Sequence, residues 1–295
     1  VKRKVALGVT ALAALAVSVV PGSASAATHG GRASSDHLGE ITRDAIGSPV
    51  AALAALADAA LPGSAFPIDG GRGSSDHWGV ITRNTIGSPV AALRNGPFGS
   101  FGVEGPSASP PYGRGSLGIE VADDSTSLAP PSEKVDFGNE VDFYGDPVLG
   151  LNEVGFHVFQ TGENISYGGP RNLPGIKFEI NPNLTASAST YSTLVWLPAP
   201  SPVTNRWSPY MDATTTGDWY LTGNAGTVTG CNQTTRCTFQ QLRTALDDGG
   251  AEPTIYTVAV SKGRDNMWIG AVDGLRINNT IYDFEADGVR TRRAN

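Results

Sequence analysis

From Phe98 onward, apolar residues alternate with polar or small ones in short runs. Leu117, Ile119 and Val121 are separated by Gly118 and Glu120, and Val154, Phe156 and Val158 by Gly155 and His157. Ile176, Phe178 and Ile180, separated by Lys177 and Glu179, form the cleanest example. A period of two puts successive side chains on opposite faces, so each run predicts a strand with one buried face. Further runs at 191–197, 218–222 and 254–260, with Gly, Pro and Asn between them, predict an all-β fold, an antiparallel β-sandwich.

The stretch 267–284 predicts the closing hairpin. Its odd positions Met267, Ile269, Ala271, Leu275 and Ile277 are apolar or small, which assigns them to the core side and leaves Arg276 outside. Asp273 falls on that inward side, where a carboxylate must be paired, hydrogen-bonded or metal-bound. Asn278-Asn279 suits a two-residue turn because asparagine tolerates positive φ. The resulting register sets Ile277 opposite Thr280, Leu275 opposite Tyr282 and Asp273 opposite Phe284. One short helix is predicted after Thr238, where Gln241 completes a capping box, Leu242, Ala245 and Leu246 form a stripe, and Gly249 ends it.

The N-terminal third follows a different pattern. Lys2, Arg3 and Lys4 precede an apolar run at 5–20 and the small residues Ala24-Ser25-Ala26, so 1–26 read as a secretory signal peptide and the protein as secreted. That run is short for a membrane span, and no other segment is long enough to be one. A repeat follows: residues 30–53 recur at 70–93 with five substitutions. Two copies are too few for a solenoid. The plain reading is a tandem duplication with a loosely ordered leader at 27–73, a β domain at 74–289 and a basic tail at 290–295. A sharper reading makes the second copy the domain's own N-terminal strand and the first a spare for the same groove on a neighbouring chain, a route to a homo-oligomer.

Composition narrows the class. Thirty-seven glycines and twenty prolines favour short strands with tight turns. A net charge of −7, with no basic stripe beyond Arg290, Arg292 and Arg293, argues against nucleic acid as partner. In an exported protein, Cys231 and Cys237 predict a local disulfide over free thiols, and a metal there would lack further ligands.

Aromatic rings are the usual platform for sugars, and Trp196, Trp207, Tyr210, Trp219, Tyr220 and Trp268 are the rings to sort. Trp207 and Tyr210, in a loop-like N-R-W-S-P-Y context with Asn205 and Arg206, and Trp268, opposite in sense to Met267 and Ile269, are the candidate ligand-binding residues. Trp196 and Trp219 lie in strands and read as core. Catalytic signals are sparse. Glu140 and Asp142 alternate along a possible strand at 140–143, the kind of carboxylate pair that glycoside hydrolysis requires, with His157 as a further candidate. Ser74-Ser75-Asp76-His77 holds the letters of a triad, but adjacency in sequence does not deliver triad geometry, so a turn or cap is the better reading.

The segments P-P-Y-G-R-G-S-L-G-I (110–119), C-T-F-Q-Q-L-R-T-A-L (237–246) and G-A-V-D-G-L-R-I-N-N-T-I-Y-D-F-E (270–285) carry a resemblance to secreted actinobacterial proteins of unassigned role. Their β domain looks like a concanavalin-type or carbohydrate-binding-module jelly roll. The resemblance implies a structural calcium between Glu104 and Asp273, with backbone carbonyls and Asp123 or Asp124 completing the shell; the alternative is that Asp273 caps backbone N–H groups or meets an arginine. Three functions follow as expectations: a non-catalytic lectin-like domain binding a polysaccharide or cell-wall glycan, a glycan-active hydrolase or lyase on the same fold, and an extracellular self-assembling protein using the repeated leader.

Overall fold

The computed structural model describes residues 72–121 and 133–294. The chain divides into two units, Val1–Ser64 and Ala65–Asn295, and all described residues belong to the second. The signal peptide, the first repeat copy and Asp123 and Asp124 therefore lie outside them.

In chain order the strands are β1 (Arg72–Ser75), β2 (Trp78–Val80), β3 (Val90–Asn95), β4 (Gly115–Val121), β5 (Val135–Asn139), β6 (Val154–Gln160), β7 (Gly175–Asn181) and β8 (Ser192–Leu197). They continue as β9 (Arg206–Trp207), β10 (Met211–Asp212), β11 (Asp218–Leu221), β12 (Thr254–Lys262), β13 (Trp268–Ile277), β14 (Thr280–Glu285) and β15 (Gly288–Arg293). A six-stranded sheet has the order β11-β8-β7-β12-β5-β2. A nine-stranded sheet runs β1-β15-β14-β13-β4-β3, with β6 on the other side of β13 and β9 and β10 beyond it. Every pairing is antiparallel.

The sheets pack face to face through the alternating apolar positions that the sequence marks. Leu117, Ile119, Val158, Ile176, Phe178, Ile180, Leu194 and Val260 are all buried in one core. Phe156 of one sheet meets Trp196 of the other at 5.4 Å between ring centroids, and Phe284 meets Phe137 at 5.9 Å. Trp196 and Trp219 are core residues, as expected.

In β13 the sequence parity fails. Trp268 and Val272 face the main core, whereas Ala271 packs on Phe159 and Ala108 on the opposite side of the sheet. The register then slips between Asp273 and Arg276, and Leu275 and Ile277 return to the core. A bulge adds one residue and reverses which side chains face inward, so an uninterrupted count from Leu275 misplaces everything before it. Gly274 makes the bulge possible, with φ 63° and a Cβ position 2.4 Å from the Tyr112 ring. Beyond it, the Asn278-Asn279 turn and the pairs Ile277–Thr280 and Leu275–Tyr282 form as expected.

Three α-helices are present among the described residues, where one was expected. α3 (Phe239–Leu246) carries the Thr238–Gln241 capping box. α1 (Gly162–Gly168) and α2 (Gly223–Thr229) are additional. Their glycine content gives them poor intrinsic propensity, so packing rather than local preference determines them. Two segments also correct the sequence reading. Residues 140–143 form the turn after β5, not a strand, and the basic tail is part of β15, where Arg292 donates to Asp283 at 2.5 Å.

Cys231 and Cys237 form the expected disulfide. The bonded segment runs beside β11: Trp219 N–H donates to the Cys237 carbonyl at 2.8 Å and Leu221 N–H to that of Cys231 at 2.8 Å. Replacing both cysteines with serine is expected to cost about 2 kcal/mol, from the chain entropy of so short a loop, and to lower Tm by roughly 5 °C. An unchanged melting curve would mean that the backbone pairs alone hold the segment.

Candidate functional site

Because Ile176, Phe178, Leu194, Trp219, Leu221, Phe137 and Val260 point into the core, their strand neighbours form the outer face of the six-stranded sheet. These neighbours are Lys177, Val195, Tyr220, Asp136 and Ser261. At one end of this face two loops rise to enclose a cavity of about 450 Å³. One is the disulfide loop, which contributes Gln233 and Arg236, and the other is the β12–β13 connection, with Arg264 and Asp265. Lys134, Lys177, Tyr220 and Ser261 line the sheet side.

The charge of this cavity is unlike that of the chain. Asp136 is buried and fully engaged, accepting from Lys177 Nζ at 3.0 Å and Ser261 Oγ at 2.5 Å, with Lys134 Nζ at 3.8 Å. Burial lowers the Lys177 pKa, and Lys134 beside it acts in the same direction, while Asp136 opposes both. Asp265 is bound by the buried Lys262. Arg236 reaches Asp218 at 3.6 Å, and Arg264 is exposed with no partner among the described residues. Asp136, Asp218 and Asp265 are thus each paired with protein cations, Lys134 and Lys177 sharing Asp136, and of the described cations lining the cavity Arg264 alone is left unpaired near the half-buried Tyr220 ring. Burial raises the Tyr220 pKa, so its hydroxyl stays a neutral hydrogen-bonding group. Such an arrangement suits an anionic group attached to a body that can lie against a ring.

The carboxylates proposed for hydrolysis are engaged elsewhere. Glu140 pairs with Arg83. The Asp142 carboxylate accepts from Ser75 Oγ at 2.5 Å and Asn139 Nδ2 at 2.8 Å and contacts His77 Nδ1 at 2.5 Å. The serine and histidine both bind the aspartate rather than each other in relay, and Ser74-Ser75 end strand β1 where a turn or cap was expected. His157 lies on the other sheet, between Tyr112 and Tyr210 at 5.9 and 5.7 Å, with Nδ1 3.0 Å from the Ser208 carbonyl. Burial lowers its pKa.

The aromatic candidates separate. Trp207 is half-buried on Phe159 and donates its indole N–H to the Ala108 carbonyl at 3.2 Å. Asn205 and Arg206 are exposed beside it, Asn205 with φ 60° and its N–H on the Gln160 carbonyl at 2.8 Å. Tyr210 is half-buried, its hydroxyl raised well above the ordinary tyrosine pKa by burial. Trp268 does not join them. It is fully buried in the main core, its indole N–H on Gln160 Oε1 at 3.3 Å, because the bulge reverses the parity that had placed it outside.

Glu104 is exposed in a loop and has no partner among the described residues. Asp273 is buried, and its carboxylate accepts from the N–H groups of Phe284 at 3.0 Å and Tyr112 at 3.2 Å, and from Gly274. It sits where the partner on one side of β13 changes from β4 to β14, closing the gap between two ladders. Oxygens turned to amide hydrogens are not presented to a cation, so these residues do not fit calcium. Among the described residues no group of three or more His, Cys, Asp and Glu could hold a metal ion, and no helix is long and apolar enough to cross a membrane.

The sequence reading missed Lys134, Lys177, Arg236 and Arg264 as site residues, and Tyr220, one of six aromatic candidates by residue type, was not among the three it preferred. Lys177 was legible, since the I-K-F-E-I alternation turns it away from the core. Arg236 and Arg264 lie in loops, and only the assembled sheet brings them to one cavity. The chain matches no described protein family, no curated protein and no solved structure.

Proposed function

We propose that the protein is a secreted, non-catalytic, lectin-like jelly roll whose outer-face cavity binds an anionic glycan of the cell envelope. The observation that carries this reading is the cationic cavity around Tyr220 in a chain of net charge −7. A sugar carrying a carboxylate, phosphate or sulfate offers an apolar ring face to Tyr220 and an anion to Arg264 and Arg236. The disulfide steadies the loop bearing Arg236, which reduces the ordering cost of binding.

The test is retention of the mature protein on insoluble polymers: cellulose and chitin as neutral glycans, cross-linked polygalacturonate and purified cell wall as anionic ones. Retention on an anionic polymer, weakened by salt as exposed charge pairs are screened, is the expected result. Arg264→Ala is expected to weaken it about tenfold, the scale of one charge-assisted hydrogen bond, without changing Tm. Retention that is equal on neutral polymers and indifferent to Arg264→Ala would place binding elsewhere, with the Trp207–Tyr210 edge next to be examined. No retention on any polymer would overturn the reading.

A further inference from the structure

The disulfide loop serves two cavities. Its backbone runs beside the edge strand β11, where the Cys237 carbonyl accepts from Trp219 N–H and the Cys231 carbonyl from Leu221 N–H. The Arg236 end of the loop is therefore set against the start of β11 and the Asn232 end against its finish. The Arg236 end borders the cationic cavity. The Asn232 end borders a second cavity of about 520 Å³, which shares Tyr220 and Gln233 with the first. Tyr220 and Thr222 lie two residues apart on extended backbone, so their side chains leave the same face about 7 Å from each other.

The two cavities differ in charge. Lys134, Lys177, Arg236 and Arg264 line the first, and no charged side chain lines the second. Beside Tyr220, the second cavity offers the hydroxyls of Thr222, Thr234 and Thr235 and the amides of Asn232 and Gln233. Asn232 Oδ1 accepts from the N–H groups of Thr234 and Thr235, both at 2.9 Å, which folds the loop and leaves Asn232 Nδ2 without a partner among the described residues. The Gln233 amide and the Thr234 and Thr235 hydroxyls likewise have no partner among them, and all three residues are exposed. Hydroxyl and amide groups both donate and accept, as sugar hydroxyls do. An anion in this second cavity would leave water with no cation to meet it, a larger cost than neutral hydrogen bonds return.

Given the anionic-glycan reading of the first cavity, on which this step rests, we infer that the bound polymer alternates acidic and neutral sugars. The acidic sugar occupies the first cavity, its neutral neighbour occupies the second, and Tyr220 and Gln233 contact both. The disulfide and the two backbone hydrogen bonds to β11 hold both ends of the loop in one register, so the two positions are fixed relative to each other before the chain binds. The second cavity then discriminates between polymers of the same charge sign, which the first cavity alone does not separate.

The test is equilibrium binding of the mature protein to soluble polymers of matched length. In polygalacturonate every sugar is acidic, whereas in hyaluronan and unsulfated chondroitin glucuronate alternates with a neutral N-acetylhexosamine. Simple attraction to positive charge favours polygalacturonate, the most densely charged of the three. The expected order is the reverse, with at least one alternating polymer bound about tenfold more tightly, the scale of two neutral hydrogen bonds. Thr234→Val combined with Thr235→Val removes two exposed hydroxyls and is expected to abolish that preference, while polygalacturonate binding and Tm stay unchanged. Arg264→Ala is expected to weaken binding to all three. Polygalacturonate bound as tightly as both alternating polymers, or a threonine double variant that weakens all three alike, would overturn the inference and leave the anionic-glycan reading standing. Binding to none of the three would overturn both.

Discussion

Trp268→Ala is expected to destabilise the domain by about 3–5 kcal/mol, the cost of deleting a fully enclosed indole from a core that relaxes only in part. The ring has no exposed surface and sits in the cluster that joins the two sheets. Its N–H also satisfies Gln160 Oε1, and Gln160 uses its amide group to hold the Ser201 and Val203 carbonyls at 3.3 and 3.2 Å. Truncation therefore creates a cavity and strands a buried acceptor together. Trp268→Phe separates the two, since it keeps much of the volume and loses only the hydrogen bond, for a cost nearer 1–2 kcal/mol. Urea denaturation of the three proteins measures both differences. A loss below about 1 kcal/mol for the alanine variant would be incompatible with an enclosed ring and would restore Trp268 as a surface platform.

Asp273→Asn is expected to change how stability depends on pH more than any other single substitution. Burial, aided by the nearby Asp283, pushes the Asp273 carboxyl up to about 8, while the amide hydrogen bonds it accepts oppose the shift. With a folded pKa above the unfolded one, the native state holds a proton that the unfolded chain has released between about pH 4 and pH 8. Asp273 therefore removes stability as pH rises through that window, and its effect is constant above it. At about 1.4 kcal/mol per pH unit, the full shift corresponds to roughly 6 kcal/mol. Asparagine carries no such proton, so the stability of the variant relative to the native protein is expected to rise from pH 4 to pH 8 and then level off. The difference between the two proteins isolates the effect from Asp142 and Glu179. In both, burial is outweighed by hydrogen bonds that hold the carboxyl below its usual range, and their contribution is lost only as acid protonates them. A pH-independent difference would mean that the amide hydrogen bonds prevail and Asp273 is ionised throughout.

These two residues show how much of the domain its sequence discloses. The strand runs at Ile176–Ile180 and Val154–Val158 are legible because a buried face imposes a period of two, and the burial of Phe178 and Phe156 follows directly. Trp268 and Asp273 lie on a strand that is equally clear as a strand. Their faces are obscured by one bulge at Gly274, which the sequence does not mark as distinct from any other glycine. Glu140 and Asp142 illustrate the converse. Their spacing imitates a strand face, yet both belong to a turn and are claimed by residues of the second repeat copy, 57 and 67 positions away.

The sequence by itself determined the β class, the disulfide, the capped helix, the closing hairpin turn and most of the core, because each rests on chemistry within a few residues. Only the tertiary structure decided which side of β13 is inside, that α1 and α2 are helices, that the second repeat copy supplies strands to three sheet edges, and that four cations meet around Tyr220. Those features depend on register and on contacts between distant segments, and backbone geometry sets both. An alternating pattern shows that a face exists, and the assembled sheets determine what that face meets.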